Sequence, residues 1–338
     1  MTTITTNQLS NNSVNDTNPQ VSLSGNVVWE HHYSSSDIDV YLNNFAIASS
    51  INNETNPQVS GSRVVYEYEF SPTDTNLKLY NIATGNTTTV AEDSNNETNP
   101  QIFGSNVVYE YEYSPTDTDI YLFDDNTGNT TTVAGGSNNE TNPQIAGNFI
   151  AYEYEFSSTD TDIYRYNIAT GNTDYIATSV NNEVNPHVSY TGDVVYEYQF
   201  SSTDTDIYLY DDFTGQTITL ASSIHDEINP QIAGNYVTWQ AFDGSDWEIY
   251  RYDGNSTVQV TDNSVNDINP QVSNLGYVVW EHDYGGTGDI DVHLFDGSDT
   301  FWLGSSTYNE INPDIFGSHV TWQAWDGSDW EIFAADIT

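Results

Sequence analysis

The stretch Asn99-Pro100-Gln101-Ile102-Phe103-Gly104-Ser105-Asn106-Val107-Val108-Tyr109-Glu110-Tyr111-Glu112-Tyr113 decides the fold. Its short apolar piece, Gln101 to Phe103, reaches a turn at Gly104-Ser105-Asn106. A strong strand follows over 107–113, built from Val and Tyr with period-two alternation. A polar loop over 114–118 leads to a third strand, Asp119-Ile120-Tyr121-Leu122-Phe123. The turn Asp124-Asp125-Asn126-Thr127-Gly128-Asn129 then opens a fourth, Thr130-Thr131-Thr132-Val133-Ala134. Each turn carries the Gly, Asn or Asp that tight hairpins need.

The Asn-Pro step that heads this stretch recurs at Asn18, Asn56, Asn142, Asn185, Asn229, Asn269 and Asn312, at spacings of 38 to 44 residues. Such a period suits either a four-stranded propeller blade or a pair of HEAT-type helices. The units are rich in Thr, Val, Tyr, Asn and Gly, which excludes the helices. An all-β chain of eight four-stranded antiparallel blades is therefore expected, an eight-bladed β-propeller forming a single domain over 1–338. Thr3-Ile4-Thr5-Thr6 precedes the first Asn-Pro as a fourth strand without a blade, and Trp330-Glu331-Ile332-Phe333 is a third strand without a fourth. The amino-terminal strand should complete the last blade and remove two exposed edges.

The acidic–x–Asn-Pro lead-in (Glu97-Thr98-Asn99-Pro100), the turn at Gly104 and the Asp-Ile-Tyr-Leu strand before Thr127-Gly128 resemble the TolB-like family of propeller repeats. That family occurs in bacterial and archaeal periplasmic and cell-surface proteins. The resemblance covers all eight units and implies the propeller fold. The family's Ser-Pro-Asp-Gly turn is replaced here by Ile102-Phe103-Gly104-Ser105.

Among 338 residues there are 50 Asp and Glu, four Lys and Arg, and no Cys, for a net charge of −46. Nucleic acid is excluded as a natural partner, because binding there needs Lys and Arg on phosphates. Anionic membrane surfaces are disfavoured for the same Coulombic reason. Disorder is contradicted by 14% aromatic residues. No apolar run is long enough to cross a membrane, so no membrane insertion is expected. Residues 1–20 lack the apolar core of a secretory signal. The chain is thus cytoplasmic, begins after a signal, or is exported otherwise. The expected setting is extracellular, cell-surface or periplasmic.

Strand parity gives the acids an address. Four acidic positions recur on one side of the repeat and hold 29 of the 50 acids. The first is the lead-in acid two residues before each Asn-Pro, from Asp16 through Glu97 to Glu310. The second lies on the second strand: Glu30, Glu67, Glu110, Glu153, Glu197 and Glu281, with Gln240 and Gln323 in blades 6 and 8. The other two open the third strand: Asp37 and Asp39, Asp74 and Asn76, Asp117 and Asp119, Asp160 and Asp162, Asp204 and Asp206, Asp246 and Glu248, Asp289 and Asp291, Asp329 and Glu331. Residues two apart on an extended segment point the same way. Calcium takes six to eight oxygen ligands, often from such Asp-x-Asp spacing, so Asp37, Asp39, Asp74, Asp117, Asp119, Asp160, Asp162, Asp204, Asp206, Asp246, Asp289, Asp291 and Asp329 are the metal candidates. No cofactor is required, and calcium is the candidate stabiliser. The competing reading makes the loop acids Asx-turn fasteners, and the second-strand Glu side chains partly buried carboxylates held by donors of the next blade.

Catalysis needs differentiated residues at one spot. Blades 2 to 5 are near copies, and Asn52-Asn53-Glu54-Thr55-Asn56-Pro57-Gln58 reappears unchanged from Asn95 and from Asn138. No nucleophile elbow, zinc-protease or phosphate-loop motif is present. Blades 1 and 7 share Trp-Glu-His (Trp29-Glu30-His31, Trp280-Glu281-His282), and blades 6 and 8 share Trp-Gln-Ala (Trp239-Gln240-Ala241, Trp322-Gln323-Ala324). His31, His32 and His282 are metal ligands, bases or ordinary rim histidines. Trp247, Trp325 and Trp330, in or beside the acidic loops, stack on a ligand or pack blade against blade.

The leading expectation is a non-catalytic binding or scaffolding module. It presents repeated acids (Glu30, Glu67, Glu110, Glu153, Glu197, Glu281) and the aromatics Trp247, Trp325 and Trp330 to a cationic protein segment or a neutral glycan. A monomer or a part of a longer surface protein is expected. The alternative is a polysaccharide-active hydrolase or lyase with its site on the acidic face near blades 6–8.

Overall fold

The computed structural model describes residues 2–285, 289–304 and 307–338. It contains eight four-stranded antiparallel sheets, the blades of a β-propeller. Blades 1 to 7 run from Asp16–Val21 to Phe45–Ala48, Glu54–Ser60 to Asn86–Ala91, Asn96–Phe103 to Asn129–Ala134, Glu140–Ala146 to Asn172–Ala177, Glu183–Val188 to Gln216–Ala221, Glu227–Ala233 to Thr257–Gln259, and Asn266–Val272 to Thr300–Trp302. Blade 8 is built from Glu310–Phe316, His319–Trp325 and Trp330–Ile337, and Ile4–Gln8 supplies its outer strand in the register Ile4 opposite Ile337 to Gln8 opposite Phe333. Among the described residues no helix is long and apolar enough to cross a membrane.

By internal contacts the chain divides into two compact units, Met1–Gly61 with Ala233–Thr338, and Ser62–Ile232. In the first unit, Val279, Leu294, Ile315, Val320 and Trp322 form a buried cluster from blades 7 and 8. In the second, Val65, Leu77, Leu79, Val107, Tyr109 and Phe123 do the same for blades 2 and 3. Second strands are buried on both sides at their starts, where Val-Val-Tyr or Val-Val-Trp runs stand in five blades, Ile150-Ala151-Tyr152 in blade 4 and Val-Thr-Trp in blades 6 and 8.

Blade 3 shows how the sequence sets local structure. Its first strand, Asn96–Phe103, contains the Asn-Pro step, and the ladder with the second strand, Asn106–Ser114, shifts register between Thr98 and Gln101. Two causes combine there. Pro100 has no N–H to give the ladder. Asn99 sits at φ +51°, a left-handed conformation that Asn tolerates better than most residues, and its seven equivalents share it at +50° to +54°. The bulge turns the Asn99 N–H out of its own sheet. The connection to the third strand is shorter than the sequence indicates: Ser114 pairs with Asp117, so the third strand begins at Asp117 and only Pro115 and Thr116 turn. Asp117 therefore sits at a strand head, which fixes its direction.

In the second unit Arg165 is buried between Phe149 and Tyr210, with guanidinium carbon to ring centroid distances of 4.8 and 5.3 Å. It pairs with Asp174 and Asp212, each at 2.7 Å, and donates to the Gly192 carbonyl. Gly192 has φ +98°, and a Cβ there would lie 2.8 Å from Phe149 and 2.9 Å from Arg165. The Gly192→Ala variant should lose about 3 kcal/mol in chemical denaturation, from left-handed strain plus overpacking. An unchanged midpoint would refute the caged arrangement.

Candidate functional site

The second-strand carboxylates sit at blade boundaries, each joined to the Asn-Pro step of the next blade. The Asn142 N–H, freed by its bulge, donates to Glu110 Oε1 at 2.7 Å, and the Asn99 side chain of Glu110's own blade donates to the same oxygen at 2.9 Å. The contact repeats at Glu153 with Asn185 and Asn142 and at Glu197 with Asn229 and Asn185, while Glu281 accepts Asn312 on Oε1 and Asn269 on Oε2. Glu30 receives Asn56 on one oxygen and Asn18 on the other, while Glu67 receives Asn99. Gln240 and Gln323 occupy the same place in blades 6 and 8 and accept from Asn269 and Asn18. A neutral amide serves the latch as well as a carboxylate does. Burial raises the pKa of Glu110, Glu197 and Glu281, with the Asn donors working against it. Thus the Glu side chains singled out as ligand contacts are also the fasteners between blades.

The acids heading the third strands lie deeper than loop residues usually do. Asp39, Asp119, Asp162, Asp206, Asp246, Asp291 and Asp329 are buried, while Asp37, Asp74, Asp117, Asp160, Asp204 and Asp289 are half-buried. The fold brings them to the lead-in acid of the following blade. Burial raises the pKa of Glu54, Glu140, Glu183 and Glu227, and the adjoining Asp-x-Asp pairs (Asp37 and Asp39, Asp117 and Asp119, Asp160 and Asp162, Asp204 and Asp206) add to the shift. Glu97, with Asp93 and Asp74 nearby, is pushed up to about 8, burial again being the largest cause. Several buried oxygens here receive no hydrogen bond: one each on Asp39, Asp206, Asp291, Glu140 and Glu248, and both on Glu97 and Asp329. Such groups are rare in folded proteins. Only one trio draws its donor atoms within 4.8 Å of one another among the described residues, Asp326, Asp329 and Glu331 in blade 8.

Blades 1 and 7 differ for a visible reason. Their lead-in acid is Asp, and Asp16 Oδ1 lies 2.9 Å from Trp29 Nε1 and 2.6 Å from His31 Nδ1. Asp267 Oδ1 repeats this with Trp280 at 2.7 Å and His282 at 2.6 Å. The Asp thereby joins the Trp and the His of the motif in one hydrogen-bonded set, whereas blades 6 and 8 carry the Trp beside a lead-in Glu. His282 stacks on His293 at 4.5 Å, and burial lowers His293 to about 4. His32 approaches Thr17 and Glu30.

The three tryptophans separate. Trp247 is half-buried against Phe242 at 5.5 Å. Trp325 and Trp330 meet edge to face at 5.6 Å. Trp325 also borders a cleft of about 390 Å³ on blade 8, together with Trp322, Tyr308, Phe333, Gln8 and the carboxylates of Asp326 and Glu310. Tyr308 carries no signal in the sequence, whereas Asp326 and Glu331 belong to the Asp-Gly-Ser-Asp-Trp-Glu run, which adds a carboxylate to the recurring acids. That run occurs twice, and only its placement beside the cleft distinguishes the second copy.

None of the four Lys and Arg side chains is free for an anionic ligand. Arg63 pairs with Asp125 at 2.7 Å and Lys78 with Glu92 at 2.6 Å. Arg165 is caged, and Arg251 donates to the Gly276 carbonyl at 2.7 Å between Tyr236 and Phe295.

No family model matches the chain, and no curated protein does. Solved structures do. The β-propeller domain of the trilobed protease from Pyrococcus furiosus aligns with a TM-score of 0.61 at 11% identity, covering 84% of this chain and 92% of that one. Dipeptidyl peptidase 4 from Porphyromonas gingivalis aligns with a TM-score of 0.64 at 10% identity, covering 88% and 54%. An oligogalacturonate lyase in complex with manganese aligns with a TM-score of 0.56 at 11% identity, covering 82% and 86%. The chain thus spans about half the length of the dipeptidyl peptidase. At these identities the likeness is one of fold. It nonetheless corrects the leading expectation of a non-catalytic binding or scaffolding module, because these propellers belong to enzymes, peptidases and a lyase. The near-identical blades are units fastened to one another through the Glu–Asn contacts described above.

Proposed function

We propose that this propeller works in an enzyme, with a polysaccharide bound in the cleft of blade 8. The observation that carries the reading is the cleft itself, where the aromatic rings of Trp325 and Tyr308 lie beside the carboxylates of Asp326 and Glu310. Aromatic faces stack on sugar rings, and flanking carboxyl groups supply the acid and base of glycosidic cleavage. All four cations are engaged elsewhere, so nothing basic neutralises a uronate carboxylate. Hydrolysis of a neutral polysaccharide suits this chain better than lyase chemistry does. The TolB-like repeat motifs and the acidity fit a site of action outside the cell or at its surface.

Release of reducing ends from a panel of neutral polysaccharides tests this. Wild-type protein should release them, and both Trp325→Ala and Asp326→Asn should lower the rate at least about tenfold, in line with lost stacking and lost acid–base help. Absence of release from every polymer would overturn it. A second reading, the propeller domain of a peptidase, is favoured by the half-length match to the dipeptidyl peptidase. In that case the cleft variants leave sugar release at zero, and the catalytic groups lie outside the described residues.

A further inference from the structure

We infer that the turn between the second and third strands of blade 8 binds one divalent cation of the calcium class through Asp326, Asp329 and Glu331. The three side chains offer oxygens within 4.8 Å of one another. A cluster of acids alone would not make a site, but Asp329 supplies an independent sign. It is only 5% exposed, and neither of its carboxylate oxygens receives a hydrogen bond.

The other two ligands are held in place by groups of the same unit. Glu331 is fully buried; Ser10 Oγ donates to one oxygen and the Asn12 N–H to the other, each at 2.6 Å. Asp326 is exposed, and its Oδ1 accepts the N–H groups of Ser328 at 2.7 Å and Asp329 at 3.2 Å, which fixes the carboxylate over the turn. Asp16 adds negative charge nearby but is filled by Trp29, His31 and Asn12. Two buried carboxylates therefore face a third, and the four Lys and Arg side chains are all engaged elsewhere. Burial, then the charge of Asp326 and the hydrogen bond a protonated Asp329 would give it, and last the charge of Asp16, push Asp329 up. Either protons or a cation must neutralise the set. Oxygen-only donors in an irregular turn, with lone pairs left over, match calcium better than a transition metal or magnesium, which demands near-octahedral geometry. The equivalent run in blade 6 leaves one buried oxygen unfilled on each of Asp246 and Glu248, without the tight trio.

The site shares Asp326 with the cleft, but its test needs no substrate and reads ion content and melting. Protein stripped with EDTA and returned to calcium chloride should melt about 3–5 °C higher once calcium exceeds its Kd a hundredfold, and magnesium should do less. Asp329→Asn and Glu331→Gln should each bind one calcium ion fewer than wild type and lose that gain. In EDTA, Asp329→Asn should melt at or above wild type, because it removes a desolvated charge; this guards against mistaking misfolding for lost binding. The inference is overturned if wild type and both variants bind equal numbers of calcium ions. It is equally overturned if calcium shifts wild-type melting by less than about 2 °C while mild acid stabilises it, which would make protons the neutralising agent.

Discussion

Glu110→Ala should destabilise the protein by about 3 kcal/mol, whereas Glu110→Gln should leave it within about 1 kcal/mol of wild type or raise it. Both hydrogen bonds at this position converge on Oε1, one from the Asn142 backbone and one from the Asn99 side chain. Alanine removes the acceptor and leaves a part-buried N–H and an amide donor unsatisfied. Glutamine keeps an acceptor oxygen there and discards a charge that burial disfavours. The chain already contains the control, since Gln323 receives Asn18 N–H at 2.9 Å and Asn312 Nδ2 at 3.2 Å in blade 8. Urea unfolding of the two variants decides the matter. Equal losses in both would mean that charge, and not hydrogen bonding, fastens the blades.

The second large effect is on pH dependence. In the folded chain Glu97 is pushed from an ordinary 4.5 to about 8 and Glu140 to about 7. Between 4.5 and those values the folded state binds more protons than the unfolded one, so stability is highest on the acid side and falls as pH rises. Each group contributes a slope of about 1.4 kcal/mol per pH unit within its window. Moving from pH 6 to pH 8 in EDTA should therefore lower stability by up to about 4 kcal/mol, with Glu140 acting to about pH 7 and Glu97 over the whole range. Glu97→Gln should flatten the segment above pH 7. Urea midpoints at pH 6, 7 and 8 measure this, and a midpoint that rises with pH would sink it.

The repeat was fully legible in the chain, because period-two runs of Val and Tyr between Gly and Asn turns permit little besides short antiparallel strands. The pairing of Ile4–Gln8 with the last blade followed from counting strands at the two ends. What sequence could not weigh was burial. Asp39 and Asp119, at the start of third strands, and Asp329, in a turn, all stand in a polar context in the sequence, yet the structure buries them. The Asn-Pro step reads as a turn starter, and its true work emerges only when the left-handed Asn aims its N–H at a carboxylate 31 or 32 residues earlier. The cleft was invisible for another reason: Tyr308, Trp325 and Gln8 are brought together by closure of blade 8, and no local pattern announces that meeting.

The engagement of all four cations has a consequence for how copies of the molecule meet. With Arg165 and Arg251 caged and Arg63 and Lys78 paired, the outward field of a chain carrying −46 has no basic patch through which a second copy could approach. Repulsion between copies then reaches about one Debye length, roughly 8 Å at physiological ionic strength and about 30 Å at 0.01 M. The salt around the protein sets how far that repulsion reaches.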